Sequence, residues 1–110
     1  MTEKRIERHS SVTEDDLPGI YAFIAKDDPT AAERVLEAIE ETFQRIAQHP
    51  ECGIVFRTRN ARLQRLRMLP VSGFHNYLVF YLNEGESVRV LYVVHGARHL
   101  LRLFQNEPRK

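Results

Sequence analysis

The sequence predicts an α+β fold: an N-terminal strand, an α-helical hairpin packed on an antiparallel sheet of three to four strands, and a short C-terminal helix or tail. Three observations lead there. Apolar residues recur at helical spacing between Leu17 and Ala47, the spacing changes to two-residue alternation from Leu66 onward, and turn-forming residues separate the alternating stretches.

Lys4 to His9 mixes polar and apolar residues in the manner of an edge strand. Thr13 followed by Asp16 resembles a capping box with Asp in place of Glu, and Glu14, Asp15 and Asp16 suit a helix N-terminus, so a helix is expected from Asp15 to Lys26. Its buried face is Leu17, Ile20, Tyr21 and Ile24, and Pro18 is tolerated because it falls in the first turn. Asp28-Pro29 supplies a cap and a proline for a second helix, Pro29 to Gln48, whose apolar positions are Val35, Leu36, Ile39, Phe43, Ile46 and Ala47; Pro50 stops it. Leu66 and Met68 alternate with Arg65 and Arg67 in a strand ending at Pro70. Ser72-Gly73 marks a turn, Tyr77 to Leu82 a strand, Asn83 to Glu86 a hairpin loop, and Ser87 to His95 a last strand. Strict alternation there would put Val88, Val90, Tyr92 and Val94 on one face and Arg89, Leu91, Val93 and His95 on the other. Leu100, Leu101, Leu103 and Phe104 form an amphipathic tail.

At 110 residues, with 43% hydrophobic and 28% charged residues, the chain is expected to form a single domain over residues 1–110. The longest apolar run, Tyr77 to Leu82, is far short of the roughly 20 residues that span a bilayer, and Met1 to His9 lacks the apolar stretch of a secretion signal. No membrane partner is expected. The lone Cys52 cannot form an internal disulfide, which fits a reducing compartment, and the cytoplasm is the expected location. No metal-ligand spacing, phosphate-cradling glycine loop or nucleophile elbow occurs, so no cofactor and no metal site is expected.

The net charge of +1 conceals opposite halves. Residues 1–51 carry 6 basic and 12 acidic side chains, net −6; residues 52–110 carry 10 basic and 3 acidic, net +7. No acid occurs between Cys52 and Asn83, whereas Arg57, Arg59, Arg62, Arg65 and Arg67 fall within eleven residues. Guanidinium forks suit bidentate contacts with phosphates or carboxylates, so these five and Arg98 are the expected contacts to a polyanionic target or an acidic protein segment; the bland alternative is a solvated basic loop. Arg98 could equally fix the last turn by pairing with a carboxylate. Tyr77, Phe80, Tyr81 and Tyr92 could stack bases, but aromatic residues in central strands are more often core.

Several pieces, in order and at matching spacing, resemble ParE-type toxins of the RelE/ParE superfamily: Leu17, Ile20 and Tyr21; Asp28-Pro29-x-Ala31-Ala32; Pro50-x-x-Gly53; Leu66-Arg67-Met68-Leu69-Pro70-Val71; Tyr77-Leu78-Val79-Phe80-Tyr81; and His95-Gly96-Ala97-Arg98. His99, Pro18-Gly19 and Phe74-His75-Asn76 depart from the family pattern. The resemblance implies the toxin of a type II toxin–antitoxin system, neutralised in a hetero-oligomer by a cognate antitoxin from a neighbouring gene. ParE-like members imply DNA gyrase as the target; RelE-like members imply messenger RNA cleavage in the ribosome, and a third possibility is an inactive relative that only pairs with its antitoxin. For cleavage the candidates are His75, His95, His99, Tyr81, Arg67 and Arg98. RelE-like sites draw on lysines before the second strand, whereas this chain has only Lys4, Lys26 and Lys110. No catalytic residue is therefore assigned, and a non-enzymatic inhibitor is the expectation.

Overall fold

The computed structural model describes residues 3–57, 61–96 and 109. Its elements are β1 (Arg5–Arg8), α1 (Leu17–Ala25), α2 (Pro29–Gln48), β2 (Ile54–Val55), β3 (Arg67–Val71), β4 (Phe74–Glu84) and β5 (Ser87–His95). They make an α-helical hairpin on one five-stranded sheet of order β1-β5-β4-β3-β2, one strand more than expected because the two-residue β2 is too short to carry a periodic signal. All pairings are antiparallel except β1 with β5, which runs parallel from Arg5–Ser87 to Arg8–Val90.

The second helix has the expected ends. Asp28 is its N-cap, its side chain accepting the Ala31 N–H at 3.1 Å, and Pro29 follows at the first position, where a missing N–H costs nothing. The capping box expected before α1 does not form. A turn of π-helix, Val12–Asp16, leads into α1 instead, and neither Ser11 nor Asp16 caps with its side chain. Asp16 is turned away to the sheet.

Helix residues Ile20, Val35, Ile39, Phe43 and Ile46 pack on Val79, Tyr81, Val88, Val90 and Val93 from the sheet. Phe43 and Ile39 are fully buried, each worth about 2–3 kcal/mol of transfer free energy. The opposite face is covered as well. Leu63, from the short 3-10 turn Ala61–Leu63, joins Leu66, Phe80, Leu82, Leu91 and Tyr92 there, and Phe56 meets Phe80 edge-on at 5.1 Å.

A β-bulge changes the expected faces of β5. Tyr81 pairs with Val90 but Phe80 pairs with Tyr92, leaving Leu91 as the extra residue. Val88, Val90 and Val93 therefore face the helices, while Leu91, Tyr92 and Val94 lie on the other side. Tyr92 and Val94 thus part from Val88 and Val90, and Leu91 parts from Val93. The β4–β5 loop is tighter than the expected Asn83–Glu86: Gly85, at φ 55°, and Glu86 form it, a left-handed position that glycine adopts without strain.

Beyond Val90, which accepts the His9 N–H at 2.9 Å, β1 no longer covers the outer edge of β5. Side chains satisfy that edge. The Asp16 carboxylate accepts the Val93 N–H at 3.0 Å, and Arg109 donates to the Leu91 carbonyl at 3.1 Å. The two side chains also pair with each other through two contacts of 2.6 and 3.1 Å. Arg109 stacks 4.7 Å from the Tyr92 ring centroid and donates its backbone N–H to the Tyr92 hydroxyl at 2.7 Å. The expected tail, Leu100 to Phe104, lies outside the described residues.

Candidate partner-binding edge

After α2 the chain must turn sharply to enter the sheet, and the Pro50–Gly53 segment makes that turn around one buried phenol. The Gly53 N–H donates to the Tyr81 hydroxyl at 2.8 Å, and the hydroxyl donates to the Pro50 carbonyl at 2.8 Å. A Cβ at residue 53 would lie 2.6 Å from that hydroxyl oxygen and 3.0 Å from the Met68 carbonyl oxygen, so only glycine fits. Burial pushes the Tyr81 phenol up to about 12; the Gly53 N–H opposes this rise and the neighbouring Cys52 adds to it. The phenol is thus a fixed neutral linker between two backbone groups.

Arg67 fastens the same turn from β3. Its guanidinium donates to the carbonyls of Gly53 at 2.6 Å and Glu51 at 3.2 Å. The turn delivers β2 to the end of the sheet. Ile54 is 61% and Val55 52% exposed, with Phe23 the most exposed large apolar residues among those described.

The register shows which backbone groups of β2 are already used. Ile54 pairs with Met68 and Val55 with Arg67, and the Phe56 N–H donates to the Leu66 carbonyl at 2.8 Å. Antiparallel strands alternate hydrogen-bonded and non-bonded pairs, so Ile54 and Phe56 bond to β3 while the N–H and C=O of Val55 point outward. One step past that bond, Arg57 and Arg65 stand at facing positions, both exposed. An open cleft of about 400 Å³ lies beside Arg65, bounded also by Ala61, Gln64, Leu82, Asn83, Glu84 and Gly85.

Of the arginines singled out from the sequence, Arg57 and Arg65 are thus displayed together at this edge, and Arg67 is held half-buried against the turn. Arg59 and Arg98 lie outside the described residues, as does the side chain of Arg62. Sequence reading missed β2 itself and the task of the Tyr81 hydroxyl; the signal available was Gly53 after Pro50, a glycine that a packed ring requires. Tyr77, Phe80, Tyr81 and Tyr92 are all buried, so none offers a face for bases.

The groups considered for RNA cleavage are dispersed. Tyr81 pairs with Arg67 across β3 and β4, whereas His95 pairs with Tyr77, four residues away along β4 and so about 13 Å distant. His95 packs edge-on against Tyr77 at 5.1 Å, and His75 is exposed near the start of β4. His99 lies outside the described residues. Among the described residues no three His, Cys, Asp or Glu side chains gather to hold a metal ion, and no helix is long and apolar enough to cross a membrane.

Comparison with known proteins agrees with this architecture. The family described as ParE toxin of type II toxin-antitoxin system, parDE, matches residues 10–100. A solved structure titled chromosomal ParDE TA system from P. aeruginosa superposes with a TM-score of 0.66 at 15% identity, covering 84% of this chain and 96% of that one. The curated proteins gave no match. With the family model spanning most of the sequence and the helical hairpin, sheet and Pro50–Gly53 turn in place, the chain belongs to the ParE family of type II toxins.

Proposed function

We propose that this protein arrests bacterial growth by binding a macromolecular target, DNA gyrase, in the cytoplasm, and that a cognate antitoxin from a neighbouring gene neutralises it in a hetero-oligomer. The observation that carries this reading is the edge where Arg57 and Arg65 stand beside exposed Ile54 and Val55, in a stretch, residues 52–83, that contains no acid. Exposed cation beside exposed aliphatic surface favours association with a partner that is both anionic and apolar. Chemistry is less well served, because the Tyr81 hydroxyl is spent on Pro50 and Gly53, far from His95.

Purified protein should inhibit gyrase supercoiling while ribosome-bound messages stay intact. Arg57→Glu and Arg65→Glu should weaken complexes formed through this edge and lower their salt dependence. Prompt cleavage of ribosome-bound messages with supercoiling unaffected would refute the gyrase reading.

A further inference from the structure

Three groups of different kinds converge on the guanidinium of Arg109. The Asp16 carboxylate meets it end-on, Oδ2 at 2.6 Å from one terminal nitrogen and Oδ1 at 3.1 Å from the other. The Leu91 carbonyl accepts a further N–H at 3.1 Å, and the Tyr92 ring centroid lies 4.7 Å from the guanidinium carbon. A carboxylate, a carbonyl and an aromatic face together select what guanidinium has and ammonium lacks, a planar fork of donors with a face that stacks. The Tyr92 hydroxyl also accepts the Arg109 backbone N–H at 2.7 Å, so the arrangement reads an arginine within a peptide and not a guanidinium alone.

The receiving side is built without help from Arg109. Asp16 ends the π-helical turn Val12–Asp16, and the Val93 N–H aims its carboxylate from 3.0 Å. Leu91 and Tyr92 belong to β5 and are 0% and 5% exposed. The Asp16 side chain is 10% and that of Arg109 23% exposed, so solvent and salt screen the pair weakly. A carboxylate so nearly buried needs a cation to offset its desolvation. Arg109 arrives from 93 residues beyond Asp16 and past the end of β5, as a ligand delivered to the site and not as one of the elements that form it.

We propose that Asp16, Leu91 and Tyr92 form a binding site for an arginine side chain and its backbone N–H, filled in the free molecule by its own Arg109 and open to an arginine-bearing segment of another protein. The tethered Arg109 competes at high effective concentration, so the site stays latent until a partner with further contacts displaces it. A second copy of this chain is a poorer occupant, because exchanging one Arg109 for another adds no contact and costs the freedom lost on association. The inference is independent of the gyrase reading.

The test uses the full chain carrying Arg109→Ala, with N-acetyl-arginine N-methylamide as the probe and its lysine counterpart as control. Titration followed by NMR should move the Val93 amide resonance. The arginine probe should bind the variant about tenfold or more tighter than it binds wild type, and tighter than the lysine probe by a similar factor. Adding Asp16→Asn should abolish the preference for arginine, and adding Tyr92→Phe should weaken the arginine probe while leaving methylguanidinium unchanged. Arg109→Lys keeps a cation beside Asp16 without the fork and should be displaced more readily than Arg109, so the comparison holds if the alanine variant fails to fold. Equal binding of the arginine probe to wild type and to both Arg109 variants, or no preference over lysine, would overturn the proposal. A complex formed at micromolar concentration between Asp16→Asn and Arg109→Ala chains would make a second copy the occupant and overturn the choice of another protein.

Discussion

Tyr81→Phe isolates what one hydroxyl does for the arginine-lined edge. Phenylalanine keeps the ring that fills the core, so no cavity opens; the change removes the donor to the Pro50 carbonyl and the acceptor for the Gly53 N–H. Gly53 is buried, and leaving its N–H unpaired costs about 1–3 kcal/mol; the half-buried Pro50 carbonyl can recover a water and adds less than about 1 kcal/mol. The expected loss is about 2–3 kcal/mol, or roughly 8–12 °C in Tm for a chain of this size. Urea unfolding at neutral pH measures it.

Alkaline pH supplies a second, independent reading of the buried phenol. The folded phenol, pushed up to about 12, stays neutral where the unfolded phenol ionises near its ordinary 10.0. Its contribution to stability is complete below pH 10 and is lost as pH rises through the folded value, about 2–3 kcal/mol in all. Phenylalanine cannot titrate, so the gap between wild type and Tyr81→Phe should be full at pH 8 and should close between pH 10 and 12. A gap under about 0.5 kcal/mol at pH 8, within the ordinary range for surface substitutions, would refute the linker role. A gap constant from pH 8 to 11.5 would refute the assigned environment of the phenol.

Two further substitutions test the framework, one beside this bond and one at the outer edge of β5. Gly53→Ala places a methyl group 2.6 Å from the Tyr81 hydroxyl oxygen, inside contact distance of a ring that has no room to swing, and should cost about 1–3 kcal/mol in urea unfolding. Combined with Tyr81→Phe it should cost less than the sum of the two, because removing the hydroxyl relieves the closest contact. Asp16→Ala strips the Val93 N–H and the Arg109 guanidinium of a shared acceptor whose side chain is only 10% exposed, and should cost about 3 kcal/mol, with Asp16→Asn milder because it still accepts the Val93 N–H. Equal losses for Asp16→Ala and Asp16→Asn would show that the ion pair and not the backbone bond carries the effect.

The elements legible in the sequence were those whose local chemistry and burial agree. Asp28-Pro29 starts α2 and Pro50 follows its end, and the intervening apolar stripe is the face that packs on the sheet, so Pro29–Gln48 was readable to the residue. Ser87–His95 was readable for the same reason, but its faces were not, since a bulge at Leu91 is set by pairing with β4 and leaves no mark in alternation. Asp16 misled for a different reason: three acids before a helix look like capping chemistry, and only the fold places a backbone N–H and an arginine within reach of one of them. The arginine cluster marked a basic stretch of the chain but showed neither β2 nor how its members are sorted. Arg67 alternates into the sheet and meets carbonyl oxygens, whereas Arg57 and Arg65 lie beyond the last hydrogen bond to β3.

The parallel pairing of β1 with β5 also governs when this molecule can exist during its own synthesis. Arg5 finds its partner at Ser87, and β5 is simultaneously the neighbour of β4, so the last described strand completes two pairings at once. A chain still on the ribosome can form its helical hairpin, and then the β3–β4 hairpin, from contacts close in sequence. It cannot close the sheet over Phe43 and Ile39 until residues near His95 have emerged, and such long-range closure is the slow step of folding. Nascent fragments ending before Ser87 therefore lack the strand that joins β1 to the rest of the sheet.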